Sequence, residues 1–194
     1  MTQAPWRSLL AGALHKNRSL PSSRYVHLAT IRPEGTPANR TIVFRGFASE
    51  SDYLQFVTDR RSEKIHDLKH QAIGELCWYF PKSREQFRIQ GHLVLVDSSC
   101  HDPDLLKLRA SLWHNLSDQG RIQFAWPEPK GLRDLTVNDQ FFPPSPDRDQ
   151  VNEHFCGLIL EPQQVDHLQL KGNPQDRCLY QLHDGNWTKQ QVNP

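Results

Sequence analysis

The run Gln86–Leu95 constrains the fold most. Phe87, Ile89, Gly91, Leu93 and Leu95 alternate with Gln86, Arg88, Gln90 and His92, and a period of two marks a strand with one buried and one solvated face. Such a strand needs hydrogen-bonded neighbours and a covering layer, so the chain has to hold a sheet. Tyr25 to Ile31, Arg40 to Arg45, Tyr53 to Thr58, Ala72 to Phe80, Phe155 to Leu160, Cys178 to Leu182 and Trp187 to Val192 supply the other β-type runs. The last two read as a hairpin across His183-Asp184-Gly185-Asn186. With seven or eight strands and short helices between some of them, the pattern is that of an antiparallel β-barrel with helical insertions. There is no internal repeat, no βαβ alternation and no GxGxxG or P-loop, which argues against a Rossmann-type enzyme.

The helices have their own signatures. Trp6, Leu9, Leu10, Ala13 and Leu14 form one apolar stripe, predicting a helix over Pro5 to Arg18 that Pro21-Ser22-Ser23 breaks. A short helix through Ile65 and Leu68 follows the Tyr53–Thr58 strand. Asp102 and Pro103 open another through Leu105, Leu108 and Leu112, and Ser117 caps one whose Ile122, Ala125 and Trp126 share a face until Pro127. From Trp126 to Arg148 the chain is proline-rich, centred on Phe141-Phe142-Pro143-Pro144-Ser145-Pro146. An irregular segment of that length is usually functional or mobile; a lid over a site and a plain surface excursion are both open readings. The expectation is one domain over 1–194, with an N-terminal helix in 1–20 and a helical, proline-rich insertion in 102–150.

Composition narrows the partners. Twenty-three Lys+Arg against 22 Asp+Glu leave the 194-residue chain nearly neutral, which argues against bulk binding to nucleic acid or a membrane surface. No apolar run approaches a membrane span, and Leu9 to Leu14 is too short for a secretory signal. The four cysteines, Cys77, Cys100, Cys156 and Cys178, form no CxxC pair and read as reduced thiols of a cytoplasmic protein.

The stretch Asn39 to Lys64 carries the chemistry. Its two β-type runs flank the polar connection Gly46 to Asp52, so a hairpin is the natural reading. The second run stops at a polar cluster from Thr58 to Lys64, where Asp59 or Ser62 can cap a following helix. A helix N-terminus beside Arg60, Arg61 and Lys64 suits a phosphate; a solvated basic turn is the competing reading. Other chemistries find no anchor. His66 and His70 sit at i, i+4, but without HExxH or an indicated third ligand they read as exposed histidines, and no metal is expected. There is no GxSxG, no local cysteine signature and no distinctive carboxylate pair, so no catalytic residue is assigned.

Five motifs in register resemble those of the pyridoxamine 5'-phosphate oxidase-like family. They are Arg40-Thr41-Ile42-Val43-Phe44-Arg45, Phe56-Val57-Thr58-Asp59, Ser62-Glu63-Lys64, Glu85-Gln86-Phe87-Arg88-Ile89-Gln90-Gly91 and Asp176-Arg177-Cys178-Leu179-Tyr180. The resemblance covers roughly Tyr25 to Val192 and implies an FMN-binding split β-barrel, mainly β, dimeric, with helical insertions. It implies that Arg40, Ser62 and Lys64 hold the FMN phosphate, while Thr41 to Arg45 (Thr41, Ile42, Val43, Phe44, Arg45), Val57 and Thr58 line the ribityl chain and the ring. Gln86 and Arg177 would reach the flavin, on the same subunit or the partner's, so the partners expected are a second copy and a small-molecule substrate.

Four departures qualify the resemblance. The family's Ser-Arg-Lys has Glu63 in its middle position here, and Arg61 is the candidate replacement cation, with Glu63 turned to solvent. Leu168 falls where the vitamin enzymes place a flavin-contacting Trp, and Asn173-Pro174-Gln175 stands where they have Arg-x-His against the substrate. The segments Arg109–Trp113 and Leu116–Arg121 also do not match the expected substrate-binding helix. The reading is an FMN-dependent oxidoreductase with a kept cofactor site and a rewritten substrate site. The alternatives are a non-catalytic flavin carrier or sensor, and a split-barrel binder of haem or a deazaflavin.

Overall fold

The computed structural model describes residues 3–137 and 139–194. The chain divides into two compact units: the first holds 1–56, 66–94 and 159–194, and the second 57–65 and 95–158. Among the described residues nine strands make one antiparallel sheet: β1 Tyr25–Ile31, β2 Pro37–Val43, β3 Gly46–Phe47, β4 Leu54–Asp59, β5 Ile73–Phe80, β6 Glu85–Val96, β7 Phe155–Gln169, β8 Asp176–His183 and β9 Asn186–Val192. Their order is β2-β1-β5-β6-β7-β4-β3, with β8 between β7 and β9. Four α-helices among the same residues accompany them: α1 Arg7–Asn17, α2 Glu63–His70, α3 Pro103–His114 and α4 Asp118–Ile122. The fold is the mainly β, antiparallel split barrel expected. No helix among the described residues is long and apolar enough to cross a membrane.

The alternation of β6 is realised from Gln86 to Leu93, with Phe87 and Ile89 fully buried and Arg88 and Gln90 exposed, and lapses at the strand's end, where Val94 and Leu95 are both half-buried. β5 alternates in step, bringing Leu76, Trp78 and Phe80 inward. A file of aromatic rings forms the spine of the first unit. Phe47, Phe44, Trp78, Phe80, Phe87 and His167 follow one another at centroid separations of 5.0, 5.0, 5.1, 5.9 and 4.1 Å. Each buried Phe contributes about 1.5–3 kcal/mol of transfer free energy. Trp78 also donates its indole N–H to Ser23 O at 3.0 Å, so the ring is buried without an orphan donor. On α1, Trp6, Leu10 and Ala13 are buried as the stripe predicts, and Trp6 meets Trp187 edge-on at 5.7 Å.

The second unit has its own core of Leu112, Trp113, Leu116, Phe124 and Phe155, against which Val57, Leu108 and Val151 pack. Both expected caps are present. The Asp102 carboxylate accepts from the N–H groups of Asp104 and Leu105, and the Ser117 hydroxyl accepts from Gly120 N–H. α4 is shorter than its apolar stripe suggested and continues as a 3-10 turn over Gln123–Ala125. The proline-rich segment folds onto its own unit: Trp126 packs on Phe141, Trp113 donates to Asp147 O and Arg148 to His114 O, both at 3.0 Å. Asn138, inside that segment, lies outside the described residues, as do Met1 and Thr2 of the expected N-terminal helix region.

Two strand readings change. The runs flanking Gly46–Asp52 meet only at Arg45, whose N–H donates to Gln55 O at 2.8 Å, and otherwise form no ladder: β2 pairs with β1, and β4 pairs with the short β3 that the loop itself supplies. β7 continues past Leu160 through Pro162 to Gln169, because strand pairing with β8 outweighs the local proline signal. β7 also passes Gly91 of β6 so closely that a Cβ there would lie 2.0 Å from Glu161 O. Gly91→Ala is therefore expected to cost at least about 3 kcal/mol, read as a lowered urea midpoint, because the obstacle is backbone and cannot rotate away.

Candidate functional site

The site begins where β4 gives way to α2. Asp59 Oδ1 accepts from Arg61 N–H at 2.8 Å, Ser62 N–H donates to Asp59 O at 3.0 Å, and Ile65 N–H donates to Ser62 O at 2.9 Å. This tight turn delivers three polar side chains to one point. Lys64 Nζ donates to Thr58 Oγ1 at 2.8 Å and to Ser62 Oγ at 2.7 Å. An ammonium and two hydroxyls therefore converge beside the first turn of an eight-residue helix. An oxyanion there would meet charge-assisted donors and the positive end of the helix dipole. The donor set fits a phosphate.

The neighbouring charges are already committed. Glu63 pairs with Lys130, and its side chain is more than half exposed, consistent with a carboxylate turned aside. Arg61 grips Asp59 through Nε (3.0 Å) and Nη2 (2.6 Å) and donates to Trp126 O at 2.8 Å. The bond to Asp59 raises the Arg61 pKa further above its already high value. Its geometry makes it the brace of the turn and does not aim it as the replacement cation. Val57 is half-buried against the core of the second unit.

In the first unit, Arg40 of β2 is held from inside. Its Nη2 donates to Asp67 Oδ2 at 3.0 Å and its Nη1 to the Thr30 hydroxyl, which in turn donates to Asp67 Oδ2 at 2.6 Å. Asp67 is 3% exposed and lies on α2. Ile42 and Phe44 share the inward face of the strand and are buried, whereas Thr41 and Arg45 are exposed and Val43 is half-buried. Although the Arg45 side chain reaches solvent, partial desolvation lowers its pKa, an effect that nearby Arg24 reinforces. Among the expected ring-lining residues, Ile42 and Phe44 can offer only backbone.

Gln86 and Arg177 lie elsewhere on the first unit, and neither bonds to any residue from Arg40 to Arg45. Gln86 faces Tyr79 across the β5–β6 ladder and is half-buried. Arg177 forms a fork to Asp166, Nε to Oδ1 at 3.0 Å and Nη2 to Oδ2 at 2.7 Å, while Arg88 donates to the same Oδ2. Burial pushes the Asp166 carboxyl up, but the hydrogen bonds from Arg177 and Arg88 outweigh it and hold the group below the usual carboxylate range.

The residues that sequence reasoning missed are the organisers, Asp67 and Asp166. Each is a lone acid beside apolar neighbours, Ile65 and Leu68 for one, Val165 and Leu168 for the other. That signal shows that something must neutralise the acid but not what. His66 and His70 are exposed, and no group of three metal-binding side chains gathers among the described residues.

An antiparallel split barrel with a turn at a strand end whose donors fit a phosphate points to a flavin-binding class of protein, and comparison with known proteins gives the family. Residues 3–97 match the model of the pyridoxamine 5'-phosphate oxidase FMN-binding domain. A pyridoxine/pyridoxamine 5'-phosphate oxidase 2 of Arabidopsis thaliana is 42% identical over 98% of each chain. A pyridoxamine 5'-phosphate oxidase-related, FMN-binding protein of Nostoc punctiforme superposes with a TM-score of 0.97 at 47% identity, each chain covered in full. PhzG of Burkholderia lata, solved with tetrahydrophenazine-1-carboxylic acid, shares the fold at a TM-score of 0.77 and 19% identity, covering 100% of this chain and 98% of its own. The chain belongs to the pyridoxamine 5'-phosphate oxidase family.

Asp166→Asn is expected to lower stability by about 1–3 kcal/mol at pH 7, since it leaves two partly exposed guanidinium groups facing each other. The Asp166 pKa is depressed in the folded state, so its contribution is present above the ordinary aspartate pKa and lost as pH falls through the folded value. Urea melts of the two proteins should therefore converge below about pH 4.

Proposed function

We propose that this chain is an FMN-dependent oxidoreductase in which residues 1–194 serve one FMN-binding domain and two copies form the working unit. The observation that carries the reading is the convergence of Lys64, Ser62 and Thr58 at the start of α2. Ser62 and Lys64 are assigned to the FMN phosphate, with Arg40, fixed by Asp67, assigned to the same group. The exposed side chains of Thr41 and Arg45 and the backbone of Ile42 and Phe44 are assigned to the ribityl chain and the ring edge. Arg61 acts indirectly, by holding the turn that presents Ser62 and Lys64.

Bound FMN supplies a two-electron acceptor for a substrate C–H bond. The protein's part is to orient the ring, exclude water and place charge. Gln86 and Arg177 are assigned to the flavin ring of a second subunit. The outward face of the first unit's sheet supports that dimer, because Tyr25 (51% exposed), Tyr79 (49%) and Ile73 (37%) stand uncovered and Tyr79 adjoins Gln86. Asp166 holds Arg177 in one orientation. The four cysteines are free thiols, which suits a reducing, cytoplasmic compartment.

Pyridoxamine or pyridoxine 5'-phosphate is the substrate class that the relatives' names suggest. Asn173, Pro174 and Gln175 offer it neither a cation nor an imidazole. That absence favours one second reading, a flavoprotein that binds FMN without oxidising vitamin B6 phosphates. Oxygen consumption by the FMN-loaded protein decides between them. Turnover with pyridoxamine 5'-phosphate is the expected result, and silence from fully loaded protein would remove that substrate class. Lys64→Ala should weaken FMN binding about 10- to 100-fold, whereas Glu63→Ala should change it by less than about twofold; quenching of FMN fluorescence reads both.

A further inference from the structure

A second cationic feature lies in the first unit, in a cleft whose lining includes none of the residues assigned to the flavin. A cleft of about 470 Å³ is lined by Ser8, Gly12, Lys16, Lys82, Glu85 and Lys171, among others. Its three lysines come from three separate segments: α1, the turn between β5 and β6, and the connection between β7 and β8.

Those segments are locked together. Asn17, fully buried at the end of α1, donates to Ala13 O at 2.8 Å and to Ser83 Oγ at 3.1 Å, and its Oδ1 accepts Lys82 N–H at 2.9 Å. Leu170 N–H donates to Arg84 O at 2.8 Å, fixing the third segment beside the same turn. The backbone that bears the lysines is therefore set before any ligand arrives.

The charges in the cleft are not balanced. Against three ammonium groups stands one carboxylate, Glu85, which is buried and bonded to His167 Nε2 at 3.0 Å. Burial depresses the His167 pKa, against the opposing pull of Glu85. The cleft carries two positive charges net (three lysines less Glu85), in a chain whose formal charge is +1. Lys16 approaches Glu85 only to 3.5 Å, Lys82 is bonded to the neutral Ser19 hydroxyl, and Lys171 has no hydrogen-bond or ion-pair partner among the described residues.

Gly12 adds an independent sign. It sits mid-helix, where glycine costs about 1 kcal/mol relative to alanine, yet a Cβ there would meet nothing within 4 Å. Packing does not require the glycine. Its missing side chain leaves the cleft open between Ser8 and Lys16, four residues to either side on the same helix face.

We propose that this cleft binds a small phosphate-bearing anion. Three rotatable ammonium donors converging from different directions suit a tetrahedral oxyanion, whereas a planar carboxylate is better matched by the fixed fork of an arginine, and the cleft lining contains none. The volume leaves room for an organic group beyond the phosphate.

The test is calorimetric titration of the full-length chain in saturating FMN at low ionic strength, with inorganic phosphate and with ribose 5-phosphate as probes. One equivalent of either probe should bind. Tighter binding of the sugar phosphate identifies an organic ester as the ligand, and equal binding identifies the bare anion. Lys171→Gln, an exposed change, should weaken binding at least about tenfold, while Lys189→Gln on β9 should leave it unchanged. Gly12→Glu should raise the thermal midpoint and abolish binding, because its carboxylate takes the anion's place. Absence of heat with both probes, or undiminished binding by the folded Gly12→Glu and Lys171→Gln proteins, would overturn the proposal.

Discussion

A carboxylate cannot be buried alone, and Asp67 is buried. Removing an unpaired charge from water costs several kcal/mol even after relaxation, so the fold around Asp67 has to bring it donors. It brings two, Arg40 from β2 and Thr30 from β1, at 3.0 and 2.6 Å. That knot ties the edge of the sheet to α2, and α2 is the helix whose first turn carries Lys64 beside Ser62. The constraint that settles the packing of β1 and β2 thus also fixes the Asp67 turn of α2 against them.

The same rule recurs in the first unit. Asp166 is 5% exposed and is shared by Arg88 and Arg177 from β6 and β8, the strands on either side of β7. Glu85 is 6% exposed and takes His167, whose ring stacks on Phe87 at 4.1 Å. Because each acid recruits its partner from another strand or helix, these bonds select one register among the many that apolar contacts would tolerate. The apolar file from Phe47 to Phe87 supplies driving force without direction, and the bonds to the buried carboxylates supply direction.

This division explains what could be read from the chain. Features set by near neighbours were legible: the alternation of β6, the Asp102 and Ser117 caps, the Trp6–Leu10–Ala13 stripe and the hairpin turn at Asp184-Gly185, where both residues have positive φ. Features set by distant partners were not. The run Arg40–Arg45 and the run Tyr53–Thr58 look like two arms of one hairpin, because nothing local says that β2 has already paired with β1 and that Gly46–Phe47 will pair with β4. In the candidate site the motif residues Thr58, Ser62 and Lys64 were visible and do converge. Arg61 was visible as a cation, but its commitment to Asp59 and to the Trp126 carbonyl was not. Asp67 and Asp166 were missed: an acid in apolar company is a signal that announces a partner without naming it.

The central claim is that the turn from Thr58 to Lys64 is built for a phosphate on the flavin. Comparing the affinities of the apo-protein for FMN and for riboflavin, which share the ring and ribityl chain and differ in the phosphate alone, tests it most directly. The account predicts that FMN binds at least about a hundredfold more tightly, the scale of two charge-assisted bonds. Equal affinity for the two would contradict it and would mean that the Lys64 cluster serves the fold and not the cofactor.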